Sequence, residues 1–386
     1  MTNMKKIKYL IHYDINNNEG RGRTLSAIDK ADYIINTTNN IGINVDIISA
    51  SLVSDKAYFK ASKTKISEKV QLTKLPAVIS GNYLQKIMAH IWRNFALCIY
   101  LIKNVKRNES IISYHSLGTI WSVRCAKKIK RFKLILEVEE IYNDVIQKSS
   151  RARLRELKFI SCADKYIFPT EMLNVLVNKQ NKPYTVIHGT YKVEHNREVS
   201  FNDGKIHIVY AGTFDPRKGG ALAAVSAAEL LSSKHHIHII GFGGDEDIKN
   251  IKERIDEVSK ISKANITYDG LLSGEEYVKF IQSCDIGLST QNPDAAFNDT
   301  SFPSKILSYM ANGLRVVTVR IPAIESSAVG RDVYYYDKQT PQAIAEAIMK
   351  IDLNDGYDGR KRIKELDIQY KEDMTRLLGG KNAKYI

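Results

Sequence analysis

Short β-branched, apolar runs alternate along this chain with stretches of helical periodicity, and the alternation restarts once, after a polar gap. Strand-like runs stand at 7–13, 44–49, 110–114, 134–138, 165–168 and 185–187. Helical patterns lie between them, from about 25 to before Gly42 and over 83–103, 119–129 and 151–162. Residues 50–80 are polar and Lys-rich, with no pattern that assigns them. Strands separated by helices cannot close hairpins. They pair in parallel through right-handed crossovers, with helices covering the sheet. Segment 190–204, TYKVEHNREVSFNDG, carries no periodicity and marks the boundary. Beyond it strands are expected at 206–210, 236–240, 266–268, 286–289 and 315–319. Helices are expected at 220–232, 246–259, 274–282, 304–311 and 341–351, with a last basic helix over about 360–378.

The expected class is α/β, with two Rossmann-like doubly wound domains facing a central cleft. An N-terminal domain over 1–195, a C-terminal domain over 203–358 and a closing helix in 359–386 divide the 386 residues. In such sheets ligands bind outside the carboxyl ends of the strands, and paired domains trap them between those ends.

The longest apolar stretch, 95–102, is far too short to span a bilayer, and the first residues lack a signal peptide's apolar core. A cytoplasmic chain is expected, one that can sit peripherally on the inner face of the membrane. Cys98, Cys125, Cys162 and Cys284 show no metal or redox spacing. They read as small core residues in a reducing compartment, and no metal is expected. Net charge is +14, unevenly placed. Residues 1–200 hold 33 Lys+Arg against 17 Asp+Glu, and the remainder 24 against 26. Zinc-finger spacing and RNP-type strands are absent, so a nucleic-acid partner is not expected. A basic first half suits an anionic membrane surface or phosphate-bearing substrates. Arg151, Arg155 and Lys158 share one helical face as a candidate membrane or acceptor surface, with Leu154 and Leu157 on another to dock; 127–133 is a second basic cluster.

Three segments of the second half carry chemistry. IHIVYAGTFDPRKGG (206–220) is a strand, a tight turn and a helix start, where Gly212, Thr213, Arg217 and Lys218 can cradle a phosphate. HIHIIGFGGDEDI repeats the design one unit later, with Gly241 and Gly243 on the same sheet edge. In FPSKILSYMANG, Lys305, Ser308 and Tyr309 fall at i, i+3 and i+4 of a helix whose start is marked by Pro303. A cation, a hydroxyl and a phenol there suit a nucleoside diphosphate.

These segments resemble glycosyltransferases of the GT-B fold, close to the large retaining group called family four. GTFDPRKG is similar to the family's GRLxxxKG turn, with Lys218 at its lysine and Thr213 at its arginine; Arg217 lies adjacent. GFGG at 241–244 resembles its GxGP turn, and SCDIGLST at 283–290 its Asp-before-strand pattern. Thr300 and Ser308 stand at the positions of the family's paired glutamates, so both carboxylates are missing. FPSKILSYMANGLRVV is similar to a subgroup pattern that uses its Lys and Tyr, matched by Lys305 and Tyr309, with Arg315 where a proline is usual.

In the first half, Gly20, Arg21 and Gly22 resemble the family's glycine-rich loop near donor and acceptor. IISYHSLG places His115 at a histidine facing the sugar, and LILEVEEIY places Glu139 at a second histidine position. The resemblance implies transfer of a sugar, with a UDP-sugar favoured as donor, to a glycan or lipid-linked acceptor in bacterial surface polysaccharide assembly. It implies a retaining, metal-independent hexosyltransferase with no cofactor, and His115 and Glu139 as catalytic candidates. A sugar-nucleotide epimerase on the same fold, or a non-catalytic GT-B partner subunit, are the alternatives.

Overall fold

The structure, a computed structural model, describes residues 6–14, 25–53, 58–145, 149–295, 298 and 300–379. The chain forms two compact units, one of residues 1–187 and 369–386, the other of residues 188–368.

In the first unit β1 (Lys6–Leu10), α1 (Leu25–Asn40) and β2 (Asn44–Ser49) open the fold. Next come β3 (Tyr58–Phe59), β4 (Ser62–Lys65), β5 (Val70–Lys74), β6 (Ala77–Val78) and α2 (Tyr83–Asn104). Then follow β7 (Ser110–Tyr114), α3 (Ile120–Lys130), β8 (Lys133–Glu137), α4 (Tyr142–Val145), α5 (Ser150–Ile160), β9 (Lys165–Phe168), α6 (Glu171–Val177) and β10 (Tyr184–Val186). The sheet runs β10-β9-β8-β7-β1-β2-β5-β4 and is parallel except for β4. Order reverses between β1 and β7, which makes that gap the unit's switch point. Strands such as β8 are apolar on both faces because helices cover both. The unplaced stretch 50–80 forms β4 and β5 and a separate two-stranded pair of β3 and β6. Its Lys/polar composition follows from the edge: all four β4 residues are exposed.

The second unit holds β11 (Ile206–Thr213), α7 (Gly220–Ala227), β12 (His235–Phe242), α8 (Asp245–Ser259), β13 (Asn265–Gly270), α9 (Gly274–Gln282) and β14 (Ile286–Ser289). It continues with α10 (Lys305–Ala311), β15 (Arg315–Val319), α11 (Pro322–Glu325), β16 (Tyr334–Tyr336), α12 (Pro341–Met349) and α13 (Gly359–Leu378). The order β13-β12-β11-β14-β15-β16 is wholly parallel, with its switch point between β11 and β14. The two doubly wound units expected from the alternation are both present.

Their boundary falls earlier than the 195–203 read from polarity. Residues 188–200 pack on the second unit: Gln282 Oε1 accepts from Arg197 N at 2.9 Å, and His188 Nε2 contacts Ala328 N at 3.3 Å. A polar segment can pack through backbone hydrogen bonds that leave no apolar periodicity. Helix α13 divides at 368/369. Ile363 and Leu366 are buried in its first part; Tyr370, Met374 and Leu377 follow in its second, where Tyr370 stacks on Tyr33 at 5.7 Å.

Candidate functional site

The carboxyl ends of β11, β12 and β14 gather the residues read from sequence. β11 ends at Gly212 and Thr213, and β12 beside it at Gly241 and Phe242. Gly241, at φ +143°, carries no Cβ because one there would collide with the Gly212 carbonyl. Its first role is therefore to let two strand ends lie side by side. Gly212 performs the approach to chemistry: a Cβ on it would lie 3.1 Å from Lys305 Nζ. Gly219, at φ +61°, caps α7, whose first residue Gly220 packs on the Thr290 carbonyl after β14.

Lys305 is the centre of this edge. Its ammonium lies 4.0 Å above the Tyr210 ring, and no carboxylate pairs with it among the described residues. Burial, then the charge of Lys218, lowers its pKa to about 7. Two lysines thus face one another's field at a strand edge that offers backbone N–H groups, an arrangement that an anion relieves. Ser308 Oγ, one turn along α10, lies 3.5 Å from the Tyr277 hydroxyl.

Two candidates do other work. Tyr309 is fully buried; its hydroxyl accepts from Ala211 N at 2.8 Å and lies 3.4 Å from Leu288 O. The phenol is occupied by backbone and ties β11 to β14 across the switch point, so it is not presented to a ribose. Its i+4 spacing from Lys305 was legible, but helical spacing does not say which neighbour is sheet and which is solvent. Arg217 has an 82% exposed side chain and forks onto Asp215 at 3.0 and 2.8 Å. It does not replace the family's arginine at Thr213, which is itself exposed. Arg315, where a proline was expected, pairs with Asp355 and lies over the Tyr357 ring at 5.4 Å, fastening the loop before α13.

Sequence reasoning missed the loop after β14. Gln291 Nε2 donates to Asn298 Oδ1 at 2.7 Å, and Asn298 Nδ2 donates to the carbonyls of Asn292 and Pro293 at 2.8 Å. Tyr336 holds both the N–H and the carbonyl of Gln291. The run QNPD carried the turn signal, but amide pairing across seven residues has no sequence signature. It also missed His207, His236 and His238, whose ring nitrogens lie within 4.8 Å of one another. They lie toward the starts of β11 and β12, the end away from Gly212. His207 Nδ1 meets His238 Nε2 at 2.9 Å, with Asp203 and Asp269 at the outer nitrogens at 2.9 and 3.1 Å. That central distance is the length of an N–H···N bond and shorter than the roughly 3.3 Å between two nitrogens on a tetrahedral zinc ion, so His207 and His238 stand here as a hydrogen-bonded pair.

In the first unit His115 follows β7 as expected, but its side chain has no exposed surface. It packs between Tyr142 and Phe159, with centroids at 5.2 and 5.9 Å, and its Nε2 lies 3.4 Å from Glu156 Oε1. Burial lowers its pKa to about 4, so the ring is neutral. Its place is under the edge, where it packs and positions; contact with a sugar is not what this geometry gives it. Glu139 is half-buried and paired with Lys30 Nζ at 2.6 Å, a salt bridge rather than a free base. Beneath it, Glu137 accepts from the Tyr9 hydroxyl. Burial and the neighbouring Glu139 raise its pKa to about 8, against the pull of Lys30.

The group at the switch point itself is His12, directly beyond β1. Its Nε2 lies 3.3 Å from Ser116 Oγ beyond β7, and burial, then the charges of Arg93 and His90, lower its pKa to about 4. The residue is mostly buried, and its Nδ1, itself buried, has no hydrogen-bond partner. In IKYLIHYD it was read only as part of a strand. Gly20, Arg21 and Gly22 lie outside the described residues. On α5, Arg151, Arg155 and Lys158 are exposed, but so is Leu154, at 52%. Leu157 packs against the core as expected, with Glu156, Phe159 and Ile160 buried beside it. Of the 127–133 cluster, Lys127 pairs with Asp164 and Lys133 lies 3.8 Å from it.

Residues 205–353 match the family model described as glycosyl transferases group 1. Over this segment the chain is similar to group 1 glycosyltransferases. The match covers the edge built around Gly212 and Lys305, and it bears out the resemblance read from those motifs. No curated protein matches the chain in sequence. In structure it is similar to an E. coli protein described as trehalose-6-phosphate bound with UDP-2-fluoro glucose. The TM-score is 0.66 at 10% identity, over 94% of this chain and 95% of that one. Sucrose-phosphate synthase from Thermosynechococcus elongatus gives 0.68 at 14% identity, over 97% and 99%. An α,α-trehalose-phosphate synthase (UDP-forming) from Burkholderia xenovorans in complex with glucose-6-phosphate gives 0.60 at 10% identity, over 96% of each chain. At these identities the likeness is one of fold, and that fold is GT-B.

Proposed function

We propose that the protein is a retaining, metal-independent glycosyltransferase that moves a sugar from a UDP-sugar to a phosphate-bearing acceptor. The acceptor in this reading is a glycan or lipid-linked intermediate of bacterial surface polysaccharide assembly, met at the inner face of the membrane. One observation carries it: Lys305, an ammonium without a carboxylate partner among the described residues, held against Gly212 at the switch point of a unit similar to group 1 glycosyltransferases. Transfer leaves negative charge on the departing diphosphate. In this reading Lys305, Lys218 and the amides at the start of α7 meet that charge, with Lys305 held in its protonated form by the diphosphate. The structural relatives include proteins described with a UDP-sugar analogue and with a sugar phosphate, and one described in terms of glycosyl transfer with retention. The basic first unit suits the acceptor side, where His12 and Ser116 sit at its own switch point.

A thermal-stabilisation screen of UDP-, GDP- and ADP-sugars, followed by calorimetry with UDP, tests the donor. UDP binding that Lys305→Ala weakens about tenfold or more supports the reading; wild-type binding in that variant overturns the site. Incubating the stabilising sugar without acceptor separates transfer from epimerisation, which needs none. Failure of every nucleotide to bind leaves the non-catalytic subunit.

A further inference from the structure

Helix α2 carries its apolar stripe on the side away from the core. At about 100° per residue, Leu84, Ile87, Met88, Ile91, Trp92 and Phe95 fall within one arc of roughly 140°. They are 72%, 41%, 65%, 62%, 38% and 55% exposed. The opposite, buried face includes Ala89 and Arg93, whose guanidinium donates to the Gly118 carbonyl at 2.7 Å. An ordinary surface helix has the reverse pattern, and a continuous apolar stripe of this length marks an interaction surface.

A cavity of about 490 Å³ adjoins the stripe, between α2 and strands β4 and β5. Leu75, Pro76, Trp92, Phe95 and Ile99 form its apolar wall, and Lys63 and Lys103 also line it. The Trp92 indole, which lines the cavity, donates to the Pro76 carbonyl at 3.2 Å. Residues 58–107 hold ten Lys+Arg and one Glu; Arg93 is buried and Lys74 pairs with Asp14, and the other eight cations are exposed. A protein partner for this face would have to be acidic and apolar together. A bilayer with anionic lipids supplies both, apolar depth for the stripe and negative charge for the lysines.

We propose that the α2 face seats this protein on an anionic membrane, and that the adjoining cavity takes the chain of a phosphate-bearing lipid whose headgroup meets Lys63 and Lys103. This deepens the proposed lipid-linked acceptor and moves the membrane surface from α5 to α2. Apolar side chains enter the headgroup boundary while the lysines stay in the aqueous layer, so binding is reversible and needs no anchor.

The test is co-sedimentation of the full chain with vesicles of phosphatidylglycerol and phosphatidylcholine, against phosphatidylcholine alone, across a salt series. Binding to the anionic vesicles that weakens with salt is expected. The triple variant Met88→Ser, Ile91→Ser, Phe95→Ser should partition about tenfold less or weaker. These residues are exposed, so its melting temperature should match the parent protein. The pair Lys63→Glu and Lys103→Glu should lose only the preference for anionic lipid. In a Trp121→Phe background, brominated lipid should quench Trp92. No vesicle binding, equal partition of the triple variant, or a wild-type dimer that the variant converts to monomer without any vesicle binding overturns the proposal. UDP binding is measured in parallel. Vesicle failure with UDP binding intact sinks this inference alone, and the reverse outcome sinks the donor reading alone.

Discussion

Lys305 is charged or neutral according to what faces it. With burial and Lys218 holding its pKa near 7, the free site is partly deprotonated at neutral pH, and on the proposed reading a bound diphosphate would restore the proton. Donor affinity should therefore fall as pH rises from 7 to 9, and calorimetry in two buffers of different ionisation enthalpy should show proton uptake. An affinity independent of pH over that range would remove Lys305 from the diphosphate. Stability carries the opposite sign. The unfolded lysine binds its proton up to about 10.4, so unfolding free energy of the ligand-free protein gains as pH rises from 7 toward that value. Lys305→Ala should cost about 1.5–3 kcal/mol of UDP affinity, the worth of a charge-assisted contact. His12 belongs to the other unit. His12→Ala should retain UDP affinity and lose transfer, and an unchanged turnover would return it to packing. His115→Ala should lower stability as well as turnover, because the ring fills a closed space between Tyr142 and Phe159.

At the scale of elements, the proposed donor edge depends on how β11, β12 and β14 end together. Tyr309 crosses from α10 to the Ala211 amide, and its ring occupies the space that a Cβ on Gly287 would need. Tyr309→Phe leaves that buried N–H without its acceptor and should cost about 1–3 kcal/mol of stability, read by urea unfolding. A fall in UDP affinity without loss of stability would instead place the phenol on the ligand. Gly287→Ala overpacks the same contact and should cost a similar 1–3 kcal/mol. Gly241→Ala should do more damage, because its obstacle is the Gly212 carbonyl, which is backbone and cannot rotate away.

For the whole molecule, each unit has its own parallel sheet and core, and only α13 has parts in both. Calorimetric unfolding should resolve two transitions. UDP at a hundred times its Kd should raise one of them by about 2.7 kcal/mol, the mass-action shift for a ligand bound only to the folded state. The transition that moves should also be the one lowered by Gly287→Ala. A single transition, or movement of both together, would mean the units unfold as one body.

The short elements α4, α6, α11 and β16 went unread, but the sequence by itself determined the layout outside 50–80: two runs of alternating strands and helices, and the glycine turns and lysines at the second unit's carboxyl edge. These are local signals, because period, caps and turn residues act within a few positions of one another. It also placed the positive charge, which is a sum and needs no geometry. Tertiary structure decided which way each side chain looks. His115 and Tyr309 stand at the right places in the chain, yet other elements close over them. His12 was hidden inside a strand-like run and stands, mostly buried, at a switch point that exists only once β1 and β7 pair. Glu137 and Glu139 are two positions apart, but only burial beside Tyr9 and Lys30 makes one nearly neutral and pairs the other. The apolar positions of α2 were read correctly as helical. That they face outward could not be read, because periodicity defines a stripe and only packing of the whole unit says which side of the helix is inside.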